Sequence, residues 1–135
     1  DLLSPEKTFA YSAELNDTGL VELIRTTGFR TLLVADISID VENYLIKNGA
    51  DLRADVVKIG HHGSKYSSSE AFLRAVDPRV AVIEVGAENT YGHPSKETLA
   101  RLASSTQALV FRTDQDGTIE VFLENGKLKI VKEKK

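Results

Sequence analysis

Residues 55–64 read DVVKIGHHGS, and this stretch decides the fold of the chain. Its first half is a short apolar run, typical of a strand buried on both faces of a sheet. Its second half places two histidines between two glycines. Apolar residues then recur at helical spacing up to residue 76, and Ser67 and Glu70 have the spacing of a capping box that would begin a helix. The stretch therefore predicts a strand–loop–helix unit with polar side chains at the carboxyl end of its strand.

Two neighbouring stretches have the same form. Residues 31–35 are a nearly continuous apolar run that ends at Asp36, and a helical pattern follows until Gly49. Residues 80–85 form another apolar run, which leads through the loop at residues 89–94 into a helical pattern. Strands that alternate with helices predict an α/β fold with a parallel sheet.

The flanking segments complete one domain. Residues 1–18 are polar and irregular, which predicts loop or turn. Residues 20–25 predict a strand that pairs with residues 31–35 in a hairpin. Three more strands are predicted at residues 108–112, 118–123 and 127–131, joined by the turn dipeptides Asp116-Gly117 and Asn125-Gly126.

Composition indicates a folded, soluble chain. The 135 residues are 41% apolar and 27% charged, which suits one globular domain and excludes wholesale disorder. No run approaches the roughly 18 apolar residues of a membrane span. The absence of cysteine excludes disulfides, thiolate metal sites and cysteine nucleophiles. The chain has no methionine and begins at Asp1, which predicts a processed product or an excised piece of a longer protein.

Charge is distributed unevenly. The net charge is −3, but the last nine residues hold five lysines and one glutamate, so residues 1–126 carry −7. Such a body repels nucleic acid through its bulk field. We therefore divide the chain into a domain at residues 1–126 and a final strand with a basic tail at residues 127–135.

The chain's three histidines, His61, His62 and His93, all lie in glycine-flanked loops after predicted strands, and Asp36 has an equivalent position. Ligands bind at this edge of open α/β sheets. Imidazole and carboxylate donors that converge there suit zinc or manganese. Two structural alternatives stay open: Asp36 as the N-cap of the following helix, and His93 as a loop residue with Pro94 at the first helical position.

Other chemistries have less support. Ser64 lies near two histidines, but no Gly-x-Ser-x-Gly elbow surrounds it, so a serine hydrolase is not indicated. Neither a Walker loop nor Gly-x-Gly-x-x-Gly is present, which leaves nucleotide binding unsupported.

The order of these motifs resembles the metallo-β-lactamase-like domain of ComEC-type DNA-internalisation competence proteins. The resemblance runs from about Leu3 to Leu123. It is carried by LLVAD at residues 32–36, DVVKIGHHGSK at 55–65, VG at 85–86, NTYGHP at 89–94 and RTD at 112–114 followed by Gly117.

The resemblance implies the C-terminal half of a metallo-β-lactamase-like αββα sandwich, an α/β fold with a mixed sheet and flanking helices. It implies that Asp36 and His61 are metal ligands, Asp36 being the aspartate that commonly bridges two metals. His61 is chosen because it directly follows the strand and Gly60, and His62 stays open as the alternative ligand. His62 and His93 would then hold a phosphate oxygen or orient the ligands, and we expect them to be the catalytic pair. The implied cofactor is zinc or manganese.

The chain departs from the family pattern in four ways. It has no His-x-His-x-Asp-His motif, so its own residues do not complete a two-metal site. Ala35 stands where the family usually has glycine, and the serine that the family has near Gly19 is missing. Glu84 stands in place of a serine, where its carboxylate could reach the pocket or face solvent.

The resemblance implies that the parent is a DNA-uptake protein of the bacterial cell membrane, with this domain on the external side. It would bind or hydrolyse DNA phosphodiesters during transformation, through metal-assisted attack of water on phosphorus. The implied partners are DNA, the rest of the metallo-β-lactamase domain and a membrane channel domain. We expect this chain alone to be soluble and inactive, and its exposed sheet surface to favour homo-oligomers. The alternatives are a non-catalytic assembly module and a soluble metal-dependent phosphoesterase.

Overall fold

The structure, a computed structural model, describes residues 1–5 and 14–134. Its strands are β1 (Leu2–Ser4), β2 (Val21–Arg25), β3 (Arg30–Leu33), β4 (Val56–Lys58), β5 (Val80–Ile83), β6 (Leu109–Arg112), β7 (Ile119–Glu124) and β8 (Lys127–Lys132). Its helices are α1 (Ile39–Lys47), α2 (Glu70–Val76), α3 (Lys96–Ser105) and the short α4 (Thr113–Asp116). Short 3-10 turns occupy Leu15–Thr18 and Gly60–Gly63.

Strands β1 to β6 form one mixed sheet in chain order. β1, β2 and β3 are antiparallel neighbours, whereas β3, β4, β5 and β6 run parallel. Each parallel connection passes through a helix, and crossovers of one hand bring α1, α2 and α3 to the same face of the sheet. The predicted α/β fold, with a mixed sheet and flanking helices, is confirmed.

The hydrophobic core lies between that face of the sheet and the three helices. Leu32, Val57 and Ala81 occupy matching positions on β3, β4 and β5, and all three are fully buried. The helices contribute Val41, Leu45, Phe72, Leu73, Val76 and Leu102 to the same cluster. No helix in the described part of the chain is long and apolar enough to cross a membrane.

The opposite face of the sheet is only partly covered. Strands β7 and β8 pair in a separate antiparallel hairpin. Ile119 and Val121 of β7 line a groove of about 250 Å³ with Leu33 and Val82 of the sheet. Ile24 on β2 remains 44% exposed. This open face is the surface that the expected self-association requires, and that expectation stays a prediction.

The N-terminal prediction was partly wrong. Residues 2–4 are not loop but strand β1, which pairs with β2 through its backbone. Three residues are too few to carry a recognisable apolar alternation. Residues 6–13, which fall within the predicted loop, lie outside the described residues.

The C-terminal strands were predicted correctly, but one of their connections was not. Asn125 and Gly126 have φ angles of 51° and 71°, as the tight turn of a two-residue hairpin requires. Asp116-Gly117 does not join paired strands, because α4 intervenes and β6 and β7 lie in different sheets. β8 begins at residue 127, so the β7–β8 hairpin includes residues on both sides of the proposed boundary at residue 126.

The helix N-termini were predicted only approximately. The N-cap of α2 is Ser69, whose Oγ accepts a hydrogen bond from Phe72 N at 3.2 Å, and not Ser67. α3 begins after the N-cap Ser95, so Pro94 precedes the cap and does not occupy the first helical position.

Candidate functional site

The four predicted site residues meet at one edge of the sheet. Asp36 follows β3, His61 and His62 follow β4, and His93 lies in the loop after β5. The ring centroid of His61 lies 6.5 Å from that of His62 and 5.8 Å from that of His93. Nε2 of His62 lies 3.9 Å from Oδ2 of Asp36. The sequence prediction that these side chains converge agrees with this geometry.

Asp36 is not the N-cap of α1. That position belongs to Ser38, whose side chain makes no capping hydrogen bond. The Asp36 carboxylate is instead partly exposed at the strand end, where it faces His62. The alternative that Asp36 serves only as a helix N-cap is therefore wrong.

His62 is the most precisely oriented of the histidines. Its Nδ1 lies 2.7 Å from the backbone carbonyl oxygen of Glu84. A carbonyl only accepts hydrogen bonds, so Nδ1 carries a proton, and in the neutral imidazole Nε2 keeps its lone pair. That lone pair is on the side of the ring that approaches Asp36. Metal-binding histidines are commonly oriented by this kind of bond from the other ring nitrogen.

The backbone of the double histidine is left-handed. The φ angles of His61, His62 and Gly63 are 49°, 53° and 82°. Only glycine adopts this region freely, and non-glycine residues there cost about 1–3 kcal/mol each. Two hydrogen bonds hold the turn, from His61 N to Ala35 O at 3.1 Å and from Ser64 N to His61 O at 2.8 Å. The strain is concentrated where the two imidazoles are presented.

His93 is held by its own loop. The side-chain amide of Asn89 accepts from His93 N and donates to His93 O, both at 2.9 Å. Burial, followed by the charges of His61 and His62, lowers the pKa of His93 below its ordinary value, although Asp36 acts in the opposite direction. Its buried Nδ1 has no hydrogen-bond partner among the described residues. The surroundings of His93 therefore favour the neutral imidazole, and its Nδ1 is unused.

A cleft of about 300 Å³ lies on the Asp36 side of the site, and it is more acidic than the sequence indicates. Asp36 and His61 line this cleft together with Asp17 and Asp40. Asp17 is only 8% exposed, and its Oδ1 accepts a hydrogen bond from Ser38 N at 3.4 Å. The sequence predicts a loop or turn at Asp17. No local signal distinguishes it, because its contact crosses about twenty residues of chain.

The remaining polar candidates have structural roles. Ser64 is buried, and its backbone carbonyl accepts a hydrogen bond from Thr98 Oγ1 at 2.8 Å. The Glu84 carboxylate is exposed and lies 3.8 Å from Lys58 Nζ, so Glu84 serves the site through its backbone carbonyl. The hydroxyl of Thr113, in the RTD motif, accepts a hydrogen bond from Val85 N and donates one to Val85 O. It thereby fixes the segment that carries the Glu84 carbonyl.

Glu42 is a buried carboxyl group that the sequence analysis missed. It projects from α1 and is fully buried. It accepts hydrogen bonds from the backbone N–H groups of Ser68 and Ser69 and from the hydroxyl of Ser67. Burial raises its pKa above the ordinary value, although the hydrogen bonds from Ser69, Ser68 and Ser67 oppose this shift. Glu42 therefore anchors the loop that follows the double histidine.

The residues at the site match only part of a metal site. Asp36 Oδ2 and His62 Nε2 are 3.9 Å apart. Tetrahedral zinc ligands with bonds of about 2.05 Å lie about 3.4 Å from each other, so a shift of about half an ångström would suffice. Within residues 1–5 and 14–134, however, no group of three His, Cys, Asp or Glu side chains is arranged to hold a metal ion. These two donors fit a metal that takes its other ligands from elsewhere.

Replacing Ala35 with glycine is expected to raise the free energy of unfolding by about 1 kcal/mol. Ala35 has φ = 43°, a left-handed conformation in which a Cβ atom is strained. Urea denaturation measures the change. Ala71→Gly makes the same chemical change on the exposed surface of α2 and should lower stability by about 1 kcal/mol. Equal losses in both variants would show that Ala35 is not strained.

Comparison with known proteins gives relatives for most of the chain. It is 36% identical over 124 residues to ComE operon protein 3 of Bacillus subtilis, an alignment that covers 92% of this chain and 16% of that protein. It is 35% identical over 118 residues to competence protein ComA of Neisseria gonorrhoeae, covering 85% of this chain and 17% of the relative.

A shorter match is recombination protein 2 of Haemophilus influenzae, which is 37% identical over 78 residues, or 58% of this chain and 10% of the relative. No family model and no solved structure matches the chain. The chain spans about one sixth of the length of the first two relatives. Together the relatives support a competence-protein family.

Proposed function

We propose that this chain, whose relatives support a competence-protein family, is the C-terminal half of a metallo-β-lactamase-like domain in a DNA-uptake protein. In the intact parent, a protein of the bacterial cell membrane with this domain on its external side, it would bind or hydrolyse DNA phosphodiesters. Asp36 and His62 would be two of the metal ligands, with His61 as the alternative that directly follows Gly60. Zinc or manganese suits these nitrogen and oxygen donors.

The uneven covering of the sheet supports the proposal of a half domain. Three helices bury one face, while the other face holds a groove of about 250 Å³ and the partly exposed Ile24. An αββα sandwich would place a second sheet against this face. The remainder of the domain and a membrane channel domain are the partners we propose for it.

The observation that carries the proposed site is the orientation of His62. Its Nδ1 donates to Glu84 O at 2.7 Å, so its Nε2 is free to bind beside Asp36. No such bond fixes the tautomer of His61 in the described structure. The ring geometry therefore favours His62 as the ligand. The sequence favours His61, because this residue directly follows the strand and Gly60.

A bound metal would supply positive charge to polarise a phosphodiester and lower the pKa of a water molecule. The protein's own contribution would be positional. Asp36 and His62 would hold the ion at the strand ends. His93 would donate a hydrogen bond to a phosphoryl oxygen through its Nε2–H, since its Nδ1 is buried. His61, 5.8 Å from His93, would contact the same phosphate.

One observation favours a second candidate, a non-catalytic assembly module. The described residues bring together no complete metal-binding group. In that case the histidines would only shape the loops, and the open face of the sheet would bind the rest of the parent. The metal content of variants distinguishes the two functions.

We expect the 135-residue chain to bind zinc or manganese, and Asp36→Ala and His62→Ala each to weaken that binding at least tenfold. Calorimetric titration with each metal measures the affinity, and plasma emission measures the metal retained after purification without a chelator. His61→Ala is the informative comparison, because a loss in this variant with retention in His62→Ala would make His61 the ligand.

Glu88→Ala, at an exposed loop carboxylate, is the control and should bind metal like the wild type. Absence of binding in the wild type would mean that the ligand set of this chain is incomplete without the rest of the domain, and would leave the assembly module as the function of this half. Circular dichroism of each variant separates the loss of a ligand from the loss of the fold.

A further inference from the structure

Two exposed tyrosines line two different clefts beside the histidine cluster. Tyr66 is 66% exposed and lines the cleft that contains His61. Tyr91 is 83% exposed and lines a second cleft, of about 200 Å³, with His62 and His93. No other aromatic side chain among the described residues is as exposed as either. Exposure of these apolar ring faces to water is unfavourable, so a ligand that covers either ring would gain free energy from burying it.

Tyr66 projects from a firmly held loop. The Arg101 guanidinium donates hydrogen bonds to the backbone carbonyls of Lys65, Ser67 and Ser68, on both sides of Tyr66. The carbonyl of Tyr66 itself accepts a hydrogen bond from Ile39 N at 3.0 Å. These bonds hold the backbone of Tyr66 in position before any ligand arrives, which reduces the entropy lost on binding.

Tyr91 is presented in a comparable way. Its ring is nearly parallel to that of His93, with an interplanar angle of 18° and a centroid separation of 6.1 Å. Asn89 closes the loop around it through hydrogen bonds to Gly86 and His93. One face of the tyrosine ring is thus directed towards the site and the other towards solvent.

We propose that Tyr66 and Tyr91 are stacking surfaces for unpaired nucleobases of a single-stranded DNA that crosses the histidine cluster. Aromatic faces bind successive bases of single strands with little regard to sequence. The histidine cluster offers imidazole groups that could hydrogen-bond a phosphodiester of the bound strand. This inference rests on the proposed function and names the form of DNA that the site would take.

Charge makes stacking the expected source of affinity. Residues 1–126 carry a net charge of −7, so no bulk attraction for DNA exists. Lys65 places a cation beside one of the two rings, with its Nζ 5.1 Å from the centroid of Tyr66. One lysine–phosphate contact gives a slope of about −0.7 for the logarithm of affinity against the logarithm of salt concentration. Binding should therefore depend only weakly on salt.

The test is fluorescence anisotropy of the 135-residue chain with a labelled oligothymidylate of about 12 nucleotides, which lies within the range of single-strand site sizes. An abasic oligonucleotide of equal length is the comparison. We expect the abasic strand to bind at least tenfold more weakly. Tyr66→Ala and Tyr91→Ala should each weaken oligothymidylate binding about tenfold, whereas Tyr66→Phe and Tyr91→Phe should keep it.

Leu109→Ala is the control, because Leu109 is 60% exposed and is the first residue of β6, at the end of the parallel strands that lies away from the histidines. Equal affinity for both oligonucleotides, unchanged affinity in the alanine variants, or no binding by the wild type would each overturn the inference. The metal titration is independent of these results. Metal binding without base-dependent DNA binding would leave the proposed metal ligands in place and remove only the stacking role.

Discussion

Replacing Glu42 with alanine is expected to lower the free energy of unfolding by about 3 kcal/mol at pH 5. The carboxyl group accepts hydrogen bonds from Ser68 N and Ser69 N in a buried position. Alanine leaves both donors without a protein acceptor and opens a cavity, and each unsatisfied buried donor costs about 1–3 kcal/mol. Urea denaturation of both proteins measures the difference.

The pH dependence of stability identifies the ionisation of Glu42. Burial raises the folded-state pKa above the ordinary value of 4.5, so the folded chain keeps this proton to higher pH than the unfolded chain does. The stability linked to this proton is fully present below the unfolded pKa and is lost as the pH rises through the folded pKa. The stability advantage of the wild type over Glu42→Gln should therefore be largest below pH 4.5 and shrink towards neutral pH.

Glu88→Ala, at an exposed position, should change stability by less than about 0.5 kcal/mol. A loss below about 1 kcal/mol in Glu42→Ala would mean that water replaces the carboxylate as the acceptor. A difference between the wild type and Glu42→Gln that does not vary with pH would contradict the raised pKa.

The second large effect is expected at Gly63, where alanine should cost about 3 kcal/mol or more. A Cβ atom at this position would lie 2.5 Å from Cβ of Pro94 and 3.0 Å from its Cα. The φ angle of 82° adds conformational strain for any residue with a Cβ atom. Pro94 cannot withdraw freely, because Ser95 N donates to Gly63 O at 2.9 Å.

Two other glycines separate the contributions. Gly49 has φ = 70° but open space around it, so Gly49→Ala isolates the conformational cost, about 1 kcal/mol. Gly86 has open space without a left-handed φ, so Gly86→Ala should change stability by less than about 0.5 kcal/mol. Thermal and urea denaturation of the three variants should give this order. A Gly63→Ala protein no less stable than Gly49→Ala would exclude the clash with Pro94.

The sequence was sufficient for the part of the fold that follows from local patterns. Apolar runs that end in Asp36 and in the double histidine at residues 61–62 identified two parallel strands and the helices after them. Because parallel strands end at one edge of a sheet, their final polar residues were also expected to meet there. The convergence of these residues with His93 required no knowledge of side-chain contacts.

Features that depend on contacts between distant segments were not predictable. The N-cap of α2 is Ser69 and not the predicted Ser67, because Glu42, about 25 residues earlier, binds the hydroxyl of Ser67 and the backbone N–H of Ser68. Asp17 reaches the site through a similar long-range contact. The orientation of His62 depends on the backbone carbonyl of Glu84. Because every residue has a backbone carbonyl, the residue type at position 84 does not predict this contact. Ala35, by contrast, was noticed in the sequence as a departure, and its left-handed φ gives the physical reason for the usual glycine.

The anchors of the site loops have a consequence for motion. Glu42 on α1, Arg101 and Thr98 on α3, and Thr113 on α4 each hold a different part of the loops around the histidines. Releasing the loops held by Glu42, Arg101 or Thr98 requires breaking side-chain bonds to α1 or α3, and both of these helices pack in the core. We therefore expect these loops to open together with the helices and not independently of them. A ligand bound there should slow hydrogen exchange in amides of α1 and α3, well beyond the residues that it touches.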